Sequence, residues 1–471
     1  MSVMTHEGRI MFRIDGGKTN TYCDGLSRRN FVQLGVAGMA SVPLAGVLRA
    51  RAATAERGNT PRSDRSVIMI WLDGGPGHLD MYDMKPDAPA EVRGIWRPIR
   101  TNVPGMEITE LFPRQAQIAD KFSVVRSLHH DTGDHFAGGH RMLTGRDAGV
   151  SGAANAGQYP SIGSMITKAV GARRPGMPAY VSVPYASSIG LRPGYFGGNY
   201  LGFQHNPFET DGDPNADDFS VKNVKLPAGL SVDRLSDRRS LLEAVDRMRK
   251  VADHSGAFDS LDTFQQQAYE FVSGPAAREA FDLSSEDGKL RDRYGRHTWG
   301  QSTLLARRLV EAGCRFTTVH CGGWDHHWNL ESGMNNYLPI VDALVSSLLA
   351  DLDERGLWDD VLVMLCGEFS RTPRMNDGGN GGPPGSMGTP GRDHWGNSMF
   401  CLMGGGGVRG GVVVGATDAK GERPAERPVT CGDIHATMLD VLGIDQDLSF
   451  IDHAGRPTPA IEQGSVIEEL V

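Results

Sequence analysis

The sequence predicts an α/β fold: a mostly parallel central sheet covered by helices on both faces, as a three-layer α/β/α sandwich. Three observations carry this. Short, uninterrupted apolar runs recur along the chain, as strands buried on both faces require. Amphipathic helical stretches fall between them, and strands that alternate with helices pair in parallel. The acids and histidines best suited to chemistry follow directly after these runs, at the edge where such sheets collect their functional groups.

Taken in order, residues 1–55 read as an address. Ser27-Arg28-Arg29-Asn30-Phe31 precedes a moderately apolar, Gly- and Ala-rich run from Val32 to Leu48, and Ala50-x-Ala52 and Ala53-x-Ala55 follow as small-residue exits. A charged region, an apolar region and such an exit make an export signal. The paired arginines before Phe31 resemble a twin-arginine (Tat) signal. The apolar run is too short and weakly hydrophobic for a stable membrane span. The chain is therefore expected in the periplasm or secreted, with the Tat machinery as its export partner.

Residues 56–65 are polar and read as a linker, and 66–471 as a single domain. The predicted strands are Ser66–Leu72, Phe122–Arg126, Ala179–Val183, Arg315–His320, Val361–Cys366 and Ser398–Met403. The predicted helices are Ser236–Ala252, Phe258–Phe271, Gly300–Ala312, Asn336–Arg355 and Asp433–Leu442. The region around 185–232 is rich in Gly, Asn, Asp and Pro, lacks periodicity and reads as an irregular insertion or surface excursion. Residues 377–392 are glycine-rich and read as a mobile loop, either a lid or a plain connection. Gly404 to Gly411 imitates a dinucleotide fingerprint but runs into the strand-like Val412–Val414, where that fingerprint needs a helix start. This speaks against a nucleotide-dependent oxidoreductase.

A chain of 471 residues, 39% hydrophobic and 22% charged, can bury a core without metal or disulfide staples. Net charge is −9 overall and +4 over residues 1–55, which leaves −13 for the remainder. That sign argues against nucleic acid as a partner, and an anionic substrate would need a local cationic site. Cys23 lies in the address; Cys314, Cys321, Cys366, Cys401 and Cys431 are too widely spaced for a disulfide framework or zinc knuckle. Cys314 and Cys321 could pair, but buried thiols are the favoured reading. Nothing in the sequence reports on oligomeric state.

Five stretches carry candidate chemistry. Asp73 follows the first strand in Trp71-Leu72-Asp73-Gly74-Gly75, where it either holds a metal or caps a turn. Val319-His320-Cys321-Gly322-Gly323-Trp324-Asp325-His326-His327 delivers an acid and two histidines from one strand end. Glu368 follows another strand, and Asp393-His394 precedes the next. Four histidines, with two aspartates, crowd the loop from His129 to His140: His129, His130, His135 and His140. Mixed imidazole and carboxylate ligands suit zinc, manganese or iron, whereas carboxylates alone suit calcium or magnesium.

These stretches resemble the alkaline phosphatase/sulfatase superfamily, and within it a Tat-exported bacterial family of sulfatase-like domain-of-unknown-function proteins. Glu110-Leu111-Phe112-Pro113 through Leu143-Thr144-Gly145-Arg146 is similar to the sulfatase run that ends in its LLTGR helix. The stretch Cys431 to Gly443 is similar to the superfamily's D-x-x-P-T-x-L-x-x-L-G helix. The resemblance spans the chain. It implies an alkaline phosphatase-like fold, one or two divalent metal ions (zinc, manganese or calcium), and hydrolysis of a phosphate or sulfate ester of a small molecule or glycan. Carried over by residue, Asp73 matches the first metal-binding acid and Glu368 the later one. Asp325 pairs with His327, or with its rival His326, and His394 matches the final histidine, with Asp393 beside it. One cation would use Asp73 and Glu368, the other Asp325, His327 and His394.

The chain departs from the superfamily in two places. Phe369 stands where His or Asn is usual, and the signature C/S-x-P-S-R is absent, its nucleophile position falling on His135. A formylglycine mechanism is therefore not expected. His135 is left as a replacement metal ligand or a nucleophile, with Thr132, Ser127 or a metal-activated water as alternatives. Arg126, Arg371 or Arg392 would clamp the non-bridging oxygens, and His129, His130 or His140 would serve acid–base work. The departures also leave open a non-catalytic metal- or glycan-binding member of the same fold.

Overall fold

Nothing polar interrupts Val67 to Leu72, and every residue of Ser66–Asp73 is buried. This strand, β1, lies inside the sheet, and its side chains alternate between two cores. Ile68, Ile70 and Leu72 enter one, while Val67, Met69 and Trp71 enter the other. The computed structural model describes residues 2–6, 9–13, 64–147, 159–221, 271, 274–378 and 388–471. Two compact units divide the chain, Met1–Pro61 and Arg62–Val471. In the first, Ser2–His6 pairs antiparallel with Arg9–Arg13. The twin-arginine stretch, the predicted helix Ser236–Ala252 and nearly all of Phe258–Phe271 lie outside the described residues.

Among the described residues, the second unit is built on an eight-stranded sheet. After β1 come β2 (Phe122–Leu128), β3 (Tyr180–Val183), β4 (Phe208–Glu209), β5 (Phe316–Gly322), β6 (Val361–Cys366), β7 (Met399–Gly404) and β8 (Val413–Val414). Their spatial order is β8-β2-β7-β6-β1-β5-β3-β4. Seven run parallel; β7 alone is reversed, pairing antiparallel with both β6 and β2. Helices α1 (His135–Thr144), α2 (Ile162–Val170) and α5 (Cys431–Val441) cover one face, and α3 (Thr298–Ala312) and α4 (Leu330–Glu354) cover the other. The result is the expected three-layer α/β/α sandwich around a mostly parallel sheet.

Local chemistry sets the helix ends. Asp134 caps α1 by accepting from Ala137 N at 2.8 Å, and Thr430 and Asp433 form a reciprocal capping box on α5. Helix α4 starts six residues before the predicted Asn336, because Leu330, Met334 and Leu338 extend its buried stripe at four-residue intervals. The polar Gly333 and Asn335-Asn336 hide that stripe in the sequence.

One region refines the sequence reading. The stretch after 185 is not merely a surface excursion: Tyr195 and Phe196 are buried in the core on the α1 side. The base of the glycine-rich loop is pinned, since Asn376 Oδ1 accepts from Gly378 N and Gly391 N at 3.0 and 3.1 Å; residues 379–387 are outside the described set. The five cysteines after Cys23 are free and buried. Among the described residues, no helix is long and apolar enough to cross a membrane.

His435 gives the fold an acid-sensitive point. It is fully buried in α5, its Nε2 donates to the Met142 carbonyl at 2.9 Å, and burial holds its pKa down from 6.5 to about 4. The unfolded chain takes a proton that the folded one refuses. Stability from this residue is therefore complete above pH 6.5 and drains away as pH falls toward 4. Between pH 7 and 5 the loss is about 2 kcal/mol. Urea unfolding of His435→Gln at both pH values should show a pH-dependent loss smaller than wild type by that amount.

Candidate metal centre

Register brings the strand exits together. Asp73 at the end of β1 lies opposite Gly322 of β5, and Trp71 opposite Cys366 at the end of β6. Beyond these ends, β5 leads through Gly323 and Trp324 to Asp325, and β6 leads to Glu368. The loop after β2 carries His135 to the first turn of α1. His394 arrives on the short strand His394–Trp395, which pairs with Ser370–Arg371 just after Glu368. The turns approach so closely that Asp73 O accepts from both Gly323 N and Trp324 N at 3.1 Å. Gly74 adopts φ +118°, and a Cβ there would fall 2.7 Å from Asp325 N, so the junction needs glycine.

Three imidazoles surround the Asp325 carboxylate. His394 Nε2 lies 3.1 Å and His327 Nε2 3.0 Å from its Oδ1, and His135 Nε2 lies 3.5 Å from its Oδ2. His327 Nε2 and His394 Nε2 are 2.9 Å apart. The ligand atoms of His135, Asp325 and His394 all fall within 4.8 Å of one another. In each ring Nδ1 faces an oxygen that accepts its proton: Glu368 Oε1 at 2.7 Å for His135, the Gly133 carbonyl at 2.6 Å for His394, and Asp393 Oδ1 at 2.8 Å for His327. That leaves the Nε2 lone pairs turned toward Asp325. Lone pairs so close repel unless a proton or a cation lies between them. Giving the second ring nitrogen to a protein oxygen is how metal-holding histidines are oriented.

The electrostatics match. Burial works against the Asp325 carboxylate, but His135, His394 and Arg371 outweigh it and hold Asp325 far below the usual carboxylate range. Burial likewise opposes a charged His135, yet Asp325 and Glu368 raise it to about 9. Burial lowers His394 and raises Glu368. Asp325 keeps 40% of its side chain exposed, so the cluster opens to solvent.

Asp73 and Glu368 flank the cluster, each with one oxygen fixed and one bare. Asp73 Oδ2 accepts from Ile189 N at 2.8 Å and lies 3.2 Å from His320 Nε2. Glu368 Oε1 accepts from Gly74 N at 2.8 Å and from His135. The buried Asp73 Oδ1 and Glu368 Oε2 have no hydrogen-bond partner among the described residues. Nitrogen-rich donors on one side and bare carboxylate oxygens on the other fit divalent cations. Phe369, at the variant position, is buried with its ring centre 4.8 Å from His135 and 4.6 Å from His394, packing against both imidazoles.

The other sequence candidates fall elsewhere. His326 turns toward α4, against Tyr337 and Gly333, so His327 and not His326 joins the cluster. Asp393 orients His327. His130 Nε2 meets the Glu368 carbonyl at 2.6 Å, and His129 Nδ1 the Val429 carbonyl at 3.0 Å. His140 Nδ1 meets the Arg146 carbonyl at 3.0 Å, with its ring against Tyr195 and not at Asp325. None of the three guanidiniums is placed as a substrate clamp. Arg126 lies between Asp83 and the Glu107 carbonyl. Arg392 is held by Asp80. Arg371 is spent on the Gly74, Gly75 and Arg392 carbonyls and on Asp325 at 2.6 Å. Sequence reasoning missed His320, Ser188 and Tyr195. His320 carried a usable signal, its place at the end of β5; Ser188 and Tyr195 sit in a stretch without periodicity.

The model of a family described as "Protein of unknown function (DUF1501)" matches residues 64–471. No curated protein matches the chain. Among solved structures, PsFucS1 sulfatase from Pseudoalteromonas sp. is similar at 14% identity over 85% of this chain and 71% of that one, with a TM-score of 0.37. A protein in the alkaline phosphatase superfamily from Vibrio parahaemolyticus is similar at 9% identity over 81% and 67%, with a TM-score of 0.35. The lipoteichoic acid synthase LtaP from Listeria monocytogenes is similar at 9% identity over 82% and 73%, with a TM-score of 0.33.

Proposed function

Because the chain belongs to the DUF1501 family and its strand ends gather imidazoles and carboxylates at one point, we propose that it is an exported, metal-dependent hydrolase of phosphate or sulfate esters. The observation that carries this is the convergence of His135, Asp325 and His394, with all their ligand atoms within 4.8 Å. These three would hold a transition metal such as zinc or manganese, with His327 as a further donor, and Asp73 and Glu368 would hold a second cation. A bound divalent cation polarises the ester's oxygens and offsets the charge that builds on the leaving oxygen.

The protein's own groups do the rest. His135 has both ring nitrogens committed, to Glu368 and toward Asp325, which favours a holding role over that of nucleophile. Asp393 fixes the His327 ring so that Nε2 faces Asp325 and His394, where it would serve as the further donor. Arg371 steadies Asp325 and the Gly74–Gly75 turn and does not reach for substrate. With no free guanidinium at the cluster among the described residues, neutralising an anionic ester falls to the cations. That suits a mature chain of net charge −13, read as −9 overall less +4 for residues 1–55. The export reading rests on Arg28-Arg29 and the apolar run behind them.

Phe369 in a ligand's place favours a second reading, a non-catalytic metal- or glycan-binding member of the fold. Aryl phosphates, phosphodiesters and aryl sulfates assayed with zinc, manganese or calcium separate the two. Hydrolysis that EDTA abolishes and added metal restores is the expected result. Bound metal with no hydrolysis of any ester class would leave the second reading.

A further inference from the structure

Four oxygens beside the imidazole cluster are buried without a hydrogen-bond partner among the described residues: Asp73 Oδ1, Glu368 Oε2, Ser188 Oγ and Tyr195 Oη. Their residues are at most 3% exposed. Neighbouring bonds hold them close together. Ile189, next to Ser188, donates its N–H to Asp73 at 2.8 Å. Gly74, next to Asp73, donates its N–H to Glu368 at 2.8 Å. Ser188 and Leu191 exchange backbone hydrogen bonds at 2.8 and 2.9 Å, which tightens the turn. Tyr195 reaches in against α1, where a Cβ at Gly139 would fall 2.5 Å from its hydroxyl; a Cβ at the adjacent Gly138 would fall 2.8 Å from the Glu368 carbonyl. Two consecutive glycines thus let the phenol and the Glu368 backbone each pack close against the helix. Burial raises the pKa of the phenol well above 10, Ser188 within reach of it lowers it, and the Glu368 and Asp73 charges raise it further.

Each unmet buried polar group is destabilising, and an unmet carboxylate oxygen more so. A cation seated among these residues would relieve that cost. The four unmet atoms are all oxygen, and the imidazoles of His320 and His135 meet only the other carboxylate oxygens, Asp73 Oδ2 and Glu368 Oε1. Carboxylate and hydroxyl oxygens select hard cations over zinc.

Resting on the metal-dependent reading above, we propose that Tyr195 and Ser188 join Asp73 and Glu368 in an oxygen-only cation position that takes calcium or magnesium, beside an imidazole position that takes a transition metal. Zinc-loaded protein is titrated with calcium chloride or magnesium chloride, and bound metal and thermal midpoint are both read. Wild type should keep its zinc, bind one equivalent of the hard cation and melt higher. Tyr195→Phe and Ser188→Ala should each weaken hard-cation binding about 10–100-fold with zinc content unchanged. In EDTA, Tyr195→Phe should melt close to wild type, since the ring and its packing against the helix are kept.

Hard-cation affinity unchanged in both variants overturns the proposal, as does zinc-loaded wild type that binds neither calcium nor magnesium. Tyr195→Phe that melts lower in EDTA yet binds the hard cation normally assigns the phenol to packing, which also overturns it. If Tyr195→Phe fails to fold, Ser188→Ala decides. Failure of wild type to bind zinc is a separate result and strikes the metal-dependent reading itself.

Discussion

Asp325→Asn should fold but lose its transition metal, and ester hydrolysis should fall by about 10³-fold or more, since a bound cation supplies several kcal/mol of transition-state stabilisation. The reasoning is local. His327, His394 and His135 all turn Nε2 toward this carboxylate, so neutralising it removes the charge at the centre of the donor set. The amide keeps the size and one acceptor oxygen, and Arg371 keeps the Gly74, Gly75 and Arg392 carbonyls. Metal analysis of the purified variant, with unfolding midpoints in EDTA as the control for folding, checks this. A variant that retains wild-type metal would remove Asp325 from the site.

The largest stability effect is expected at Asp80. Arg392 is fully buried, and Asp80 binds it through two bonds, Nε to Oδ2 at 3.0 Å and Nη2 to Oδ1 at 3.1 Å. Asp80→Ala strands a guanidinium in the interior, at a cost of about 3–5 kcal/mol. Arg392 immediately precedes Asp393 and His394, so the pair also anchors the strand that delivers those residues. Urea unfolding measures the loss. The double variant Asp80→Ala, Arg392→Met should recover part of it, because removing both charges leaves none buried alone. A single variant within about 1 kcal/mol of wild type would show that the pair does not carry this load.

Much of this architecture is legible in the chain because a parallel strand buried on both faces demands an unbroken apolar run. Val361–Cys366 stands where its composition places it, and Asp73, Asp325, Glu368 and His394 were visible as acids and imidazoles next to such runs. The reversal of β7 was not, since an apolar run carries no direction. The preference for His327, with His326 as a close rival, comes from the resemblance alone, because adjacent residues send their side chains to different places that no spacing reveals. The arginines misled for a related reason. A guanidinium that caps interior carbonyls looks, in sequence, like one that waits for an anion, and burial separates Arg371 and Arg392 from that role. Tyr195 and Ser188 were hidden because irregular backbone leaves no period to read, although it reaches the core as surely as a strand does.

Anomalous diffraction from crystals grown with zinc or manganese tests the central claim most directly. The account predicts a peak about 2.0–2.2 Å from His135 Nε2, an Asp325 oxygen and His394 Nε2. Crystals of metal-supplied protein in which those side chains bond only to one another, with no peak among them, would contradict it.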